Sequence, residues 1–188
     1  MPNVVRWASR LLLGAAVLAV PLVVAGVLAW LHLDGGSADA YTGALAAAGG
    51  DADDAAAEVG RAIGFDTGSA VVVGLVAGYL GRMVRFPLRW ARAAALVTAV
   101  VAWALLGCGL AAPAEGPTWS EGREPAELVR ARTDLLSGWY PGVHSVFAFF
   151  VLAALTAAAV LLLREAAADY YRRTDGEAAP DWTSFTPK

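Results

Sequence analysis

The residues best suited to chemistry are the two histidines of the chain, His32 and His144, and the nearby carboxylate of Asp134. Imidazole and carboxylate groups together bind zinc or copper, so these three side chains are candidate metal ligands. None of them stands at the local spacing of a sequence-contiguous metal motif. These residues are therefore candidate ligands of a metal or haem at the outer face, but we predict no resident cofactor.

The sequence contains no motif typical of a nucleophilic hydrolase or of a nucleotide-binding protein. Ser137, Asp134 and His144 contain the side chains of a hydrolytic triad, but the G-x-S-x-G turn that would present the serine is missing. Neither G-x-x-x-x-G-K-[ST] nor G-x-G-x-x-G occurs, so no phosphate loop is indicated. Cys108 is the single cysteine, which excludes an internal disulfide and a C-x-x-C redox pair. We predict no catalytic residue, and the sequence favours a non-enzyme.

The elements that position these residues are long apolar segments. The chain has 188 residues, of which 58% are hydrophobic and 16% charged, whereas soluble domains carry about 25% charged residues. A membrane-spanning helix needs about 20 apolar residues. Four segments meet this length and predict an all-α, polytopic, four-helix transmembrane bundle, with spans at about 11–31, 68–86, 93–112 and 143–163.

Arginines set the expected orientation of this bundle. Arg6 and Arg10 precede the first span, further arginines follow the fourth, and a corner between the second and third spans carries Arg82, Arg85, Arg89 and Arg92 without an acid. Because arginine-rich loops stay on the cytoplasmic side, we expect both termini and this corner in the cytoplasm. A cleavable leader ending near Ala38-Asp-Ala40 is the competing interpretation of the first apolar segment.

The two segments expected outside the membrane contain short predicted helices. The alanine-rich stretch 38–48 favours one helix. Asp51 is placed to cap a second helix that runs to about Ile63. Pro125 suits the first turn of a third, amphipathic helix that ends before Gly138. We expect the third helix to lie on the outer surface or to cover the bundle. Residues 1–173 form one predicted domain, and the acidic, proline-containing stretch 174–188 is expected to be disordered.

Two features indicate partners rather than chemistry. Gly74-x-x-x-Gly78 in the second span permits close helix packing, either inside the bundle or between copies of the chain. The four corner arginines serve as topology signals, and they also suit an anionic lipid or an acidic partner. No basic stripe interleaved with aromatic residues is present, so nucleic-acid binding is not expected.

These observations together predict a non-catalytic integral membrane protein that contacts the lipid bilayer. We expect it to act as a subunit, scaffold or assembly factor of a membrane complex, with other membrane subunits or copies of itself as partners. The alternative is a membrane enzyme or a metal- or haem-handling protein with an outer-face site around His32 and His144. All basic residues except Lys188 are arginine, and alanine is abundant, which is typical of a GC-rich genome and favours the cytoplasmic membrane of a prokaryote.

Overall fold

The computed structural model describes residues 2–47, 55–111, 126–136 and 138–177. Regular structure in these residues is helical throughout. In chain order the helices are α1 (Asn3–His32), α2 (Ala38–Ala47), α3 (Ala55–Met83), α4 (Arg89–Ala111), α5 (Ala126–Leu135), α6 (Tyr140–Leu163) and α7 (Glu165–Glu177).

Four of these helices are long and apolar enough to cross a membrane, which confirms the expected number of spans in a multi-pass membrane protein. The qualifying stretches are Asn3–His32, Val59–Met83, Arg89–Gly107 and Tyr140–Leu163. Most of the large apolar side chains that stay exposed, such as Leu75 and Val100, lie on these helices. Lipid tails cover such side chains in a bilayer, so their exposure is the normal state of a spanning helix.

Helix α3 differs from the expected span 68–86 at both ends, since it begins at Ala55 and ends at Met83. The sequence predicted one helix ending near Ile63 and a separate span starting near Gly68. The structure instead has one continuous helix from Ala55 to Met83. At 1.5 Å per residue this helix is about 43 Å long, which exceeds the bilayer core of about 30 Å. Pro87, which cannot donate a backbone hydrogen bond, lies in the turn that follows.

Helix α1 packs along both α3 and α6, and α4 packs less extensively on the same two helices. Small residues bring α1 and α3 together. A β-carbon at Gly74 would lie 2.9 Å from the β-carbon of Ala19, and one at Gly26 would overlap the Thr67 hydroxyl. Close backbone approach of this kind is the usual basis of helix association in lipid.

The short helices α2 and α5 cover one end of the bundle, which we call the cap end. Leu128 and Leu135 of α5 are buried with Tyr41 of α2, Ile63 of α3 and Tyr140 of α6 in a second apolar cluster. The chain enters α2 through a tight turn at Gly36, whose φ of +101° suits glycine. Helix α5 therefore packs against the ends of the long helices together with α2.

The opposite end, which we call the arginine end, contains the α3–α4 turn and α7. Helix α6 stops at Arg164, which has an extended ψ of 148°, so the chain does not continue as one helix towards Arg173. Helix α7 instead folds onto the bundle and buries Ala167 and Tyr171 in the main core. It reaches Glu177, into the tail expected to be disordered, and residues 178–188 lie outside the described part.

Candidate functional site

A largely buried polar pair lies at the cap end, between α3 and α6. His144, in the first turns of α6, is only 8% exposed. Its Nε2 lies 3.8 Å from Oδ2 of Asp66 on α3, and its ring centroid lies 5.7 Å from that of Tyr140. The two groups form an ion pair whenever His144 is protonated. Asp66 comes within reach because α3 is continuous through this position.

The second histidine, His32, has a different partner. Its Nε2 lies 2.9 Å from the backbone oxygen of Asp134, so the ring N–H of the matching tautomer donates to the last turn of α5. The last carbonyls of a helix have no partner within that helix, and a side-chain donor from elsewhere satisfies one of them. His32 therefore links the end of α1 to the helix that covers the bundle.

The structure does not bring the three candidate metal ligands together. His32 contacts only the backbone of Asp134, whose side chain is exposed, and His144 faces Asp66. Within the described ranges, no group of three or more histidine, cysteine, aspartate or glutamate side chains is placed to hold a metal ion. Ser137 and the Cys108 side chain lie outside the description. His32 and His144 therefore form two separate contacts between helices, one with the backbone of Asp134 and one with the side chain of Asp66.

A double-mutant cycle tests the link between Asp66 and His144. We expect Asp66→Asn and His144→Gln each to lower the free energy of unfolding by about 1 kcal/mol, because each removes the polar group that faces a largely buried side chain at ion-pair distance. The double variant should lose less than the sum of the single effects, since the two side chains share one contact.

The cycle is measured by denaturant titration in detergent micelles. Asp134→Asn is the matched control, because its side chain is exposed, and its effect should stay within about 0.5 kcal/mol. Strictly additive losses for Asp66 and His144 would contradict the contact.

The arginine corner makes interhelical links of the same kind. Ser9 of α1 is fully buried and donates its hydroxyl hydrogen to the Gly81 carbonyl at 2.6 Å, while Arg85 Nε donates to the Ser9 oxygen at 2.8 Å. Arg92 Nε donates to the Leu162 carbonyl, in the last turn of α6, at 2.9 Å. Two of the four corner arginines therefore hold helix ends in place.

Two tyrosines of α7 complete this set of contacts. The Tyr171 hydroxyl donates to the Val84 carbonyl at 2.7 Å, and the Tyr170 hydroxyl donates to the Arg85 carbonyl at 2.9 Å. Both carbonyls belong to the turn after α3, where no further helical amide is available to bond them. These tyrosines were missed in the sequence, although Ala167 and Tyr171 are four residues apart and so share one helix face.

The other predicted interaction residues lie on two separate surfaces. Gly74 and Gly78 face α1, opposite Ala19 and Ala16, which is the packing expected inside one bundle. Arg82 lies at the end of a groove beside these glycines. Arg89 lines a cavity between α4 and α7 together with Arg92. The four corner arginines thus do not form one common site.

Comparison of the chain with protein-family models, with curated protein sequences and with solved structures gives no match.

Proposed function

We propose that the chain is a non-catalytic integral membrane protein that acts as a subunit, scaffold or assembly factor of a membrane complex. Its partners are other membrane subunits or further copies of itself. The observation that carries this proposal is a concave, apolar groove of about 650 Å³ that runs between α1 and α3 on the lipid-exposed side of the bundle.

The shape of this groove suits a further transmembrane helix. Its wall includes Val20 and Leu75, which are 57% and 70% exposed, and small residues lie between them: Ala16, Ala19, Ala70, Gly74 and Gly78. Apolar exposure alone does not distinguish a partner from lipid. Association in a bilayer depends on close packing, however, and the small residues on the floor of this groove, which already bring α1 and α3 together, leave a concave surface into which the side chains of a further helix fit.

The polar contacts support a structural role. His32, His144, Arg85 and Arg92 each contact a group on another helix or helix end. A side chain engaged in holding helices together is not arranged around a free substrate position. These contacts are therefore better explained as links that keep the bundle and its covering helices in register.

For orientation we propose that the arginine end faces the cytoplasm, with the N-terminus of α1 and the C-terminus of α7 on that side. Arg6, Arg10, Arg164 and the four corner arginines lie near the ends of spans that meet there. The positive-inside rule then places the cap end outside. The protein's composition favours the cytoplasmic membrane of a prokaryote.

Photo-crosslinking from the groove tests the proposal. A photoreactive amino acid at Val20 or at Leu75 should form a crosslink to one discrete protein band in native membranes. Val100 on α4 is the matched control, because it is 71% exposed and lies outside the groove. A crosslink pattern that is the same from all three positions, or protein crosslinks from Val100 alone, would contradict a partner in the groove.

The second candidate function is a membrane enzyme or a metal- or haem-handling protein with its site at the cap end, around His32 and His144. The observation in its favour is the burial of His144 against Asp66. Alanine at both histidines should abolish bound metal or haem under this hypothesis. Under the leading proposal the same variants leave partner binding in place, provided that the protein still folds.

A further inference from the structure

The groove between α1 and α3 has one charged end. Arg82, in the last turn of α3, lines this end, and its side chain is exposed. Within the part of the chain that the structure describes, Arg82 makes no hydrogen bond and no ion pair. The other residues that line the groove are apolar, apart from the hydroxyl of Tyr79. A helix that is complementary to this groove is therefore apolar along its length and carries an acid at the arginine end.

One face of α6 in the same chain has this pattern. Its exposed apolar residues, which we call the α6 ridge, recur every three or four positions and so share one side of the helix: Phe149, Ala153, Ala157, Val160 and Leu163. Glu165 follows the ridge at the arginine end. Its side chain is exposed and has no ion-pair partner among the described residues.

Arg82 and Glu165 lie at similar depth in the bundle. Arg82 is in the last turn of α3, and a short turn leads from there into α4. The end of α6 is held at this level by the bond from Arg92, in the first turn of α4, to the Leu162 carbonyl. Copies related by rotation about the membrane normal keep every residue at its own depth. Glu165 of one copy can therefore meet Arg82 of another.

The groove and the α6 ridge also match in length and shape. At 1.5 Å per residue, the α3 wall from Ala70 to Arg82 is about 18 Å long and the ridge is about 21 Å long. Leu75, which is 70% exposed, lies seven residues before Arg82. On the ridge, Ala157 lies eight residues before Glu165. A large wall residue thus meets a small ridge residue when the two charges are paired, which permits close packing.

From this match we propose that the α6 ridge of a second copy of this chain occupies the α1–α3 groove, with Glu165 of that copy paired to Arg82. The inference rests on the proposed function and names its partner. Two grooves facing each other across a two-fold axis would instead bring two Arg82 side chains to one level, where like charges repel. Because groove and ridge are different surfaces, each added copy leaves one of each free until a ring closes.

Disulfide crosslinking between two differently tagged copies of the full chain tests this contact. In a Cys108→Ser background, one copy carries Leu75→Cys and the other carries Ala157→Cys, and the two are co-expressed and oxidised in native membranes. We expect a crosslinked product that contains both tags. The matched control replaces Leu75→Cys by Val100→Cys, an exposed position outside the groove, and should give only the product of random collision.

Charge reversal tests the polar end of the contact. Arg82→Glu in the copy with Leu75→Cys should lower the crosslinked fraction about fivefold, because it places two acids together. Glu165→Arg in the other copy should then restore the fraction to within about twofold of its original value. Recovery in this pair also shows that both variants fold and insert correctly. Arg164→Gln removes the charge next to Glu165 and should not lower the fraction.

Different failures have different meanings. Equal crosslinking from Leu75→Cys and Val100→Cys, or no recovery after both charges are reversed, would overturn the paired groove and ridge. A product made only of two Leu75→Cys copies would place groove against groove and would also overturn it. A photo-crosslink from Leu75 to a foreign protein, without the mixed disulfide, would keep a partner in the groove but exclude the second copy. Lipid adducts alone from Leu75 would overturn both this inference and the proposed function.

Discussion

Replacing Gly74 by leucine should separate α1 from α3 and sharply reduce the yield of folded protein. A β-carbon at this position would already lie 2.9 Å from the β-carbon of Ala19, and the rest of a leucine side chain has no space. Overpacking a well-packed interface costs about 1–3 kcal/mol or more. Since α1 packs against both α3 and α6, a displacement of α1 affects the whole bundle.

The matched control for this variant is Gly68→Leu, six residues earlier on the same helix. A β-carbon at Gly68 meets no atom within 4 Å, so the added side chain should be accommodated by lipid or solvent. Both variants change the same residue type on α3, and the comparison removes general effects of helix propensity. The measurement is the denaturant concentration at which half of the protein unfolds in micelles.

Gly74→Leu also distinguishes the two interpretations of the Gly74-x-x-x-Gly78 motif. If the motif packs within the bundle, the variant loses stability whether or not the protein is oligomeric. A variant that keeps full stability as a monomer but no longer forms oligomers would show that the glycines face another copy, and would contradict the described contact with α1.

Replacing Tyr171 by alanine should release α7 from the bundle. The Tyr171 side chain is almost fully buried, and its hydroxyl donates to the Val84 carbonyl. Removing a buried aromatic side chain costs about 3–5 kcal/mol, which is more than a helix of 13 residues can supply on its own, because short isolated helices are marginal in water. Limited proteolysis should then cut within α7 and leave the four spanning helices intact.

Two comparisons sharpen this experiment. Tyr171→Phe keeps the ring and loses only the hydrogen bond, so its effect should be about 1 kcal/mol. Asp169→Ala changes an exposed side chain on the same helix and should leave the cleavage pattern unchanged. Equal protease resistance of wild type and Tyr171→Ala would contradict the docking of α7.

The docking of α7 has a defined pH dependence. Burial, and secondarily the neighbouring Tyr170, raise the pKa of the Tyr171 phenol to about 12, against a smaller lowering by Arg92. A raised phenol pKa favours the neutral form in the folded protein, so its contribution is complete below the ordinary pKa of 10.0 and is lost as the pH rises through about 12. The hydroxyl therefore remains a donor to Val84 throughout the neutral range.

The features that could be predicted from the sequence are those carried by local pattern. Long uncharged runs indicate the four spans because hydrophobic length is read within one segment. The amphipathic spacing of Leu128 and Leu135 likewise indicates α5. The location of the arginines at the ends of the spans is also visible in the sequence itself. These properties need no knowledge of which helices are neighbours.

The features that could not be predicted depend on neighbours. Ser9 and Gly81, Tyr171 and Val84, and His144 and Asp66 are each more than 70 residues apart in the chain. Their contacts arise only once α1, α3, α6 and α7 are assembled. The continuity of α3 was missed for a related reason, since packing against Trp30 of α1 accommodates Gly60 and Gly64, which locally weaken a helix.

The most direct test of the proposed function is the stoichiometry of the protein extracted gently from its native membrane. Light scattering after size exclusion, mass spectrometry of co-purifying chains and elemental analysis are made on one sample. We expect a metal-free complex that contains either stoichiometric foreign membrane subunits or several copies of this chain. A monomer that carries near-stoichiometric metal or haem would contradict it and would direct attention to His32 and His144.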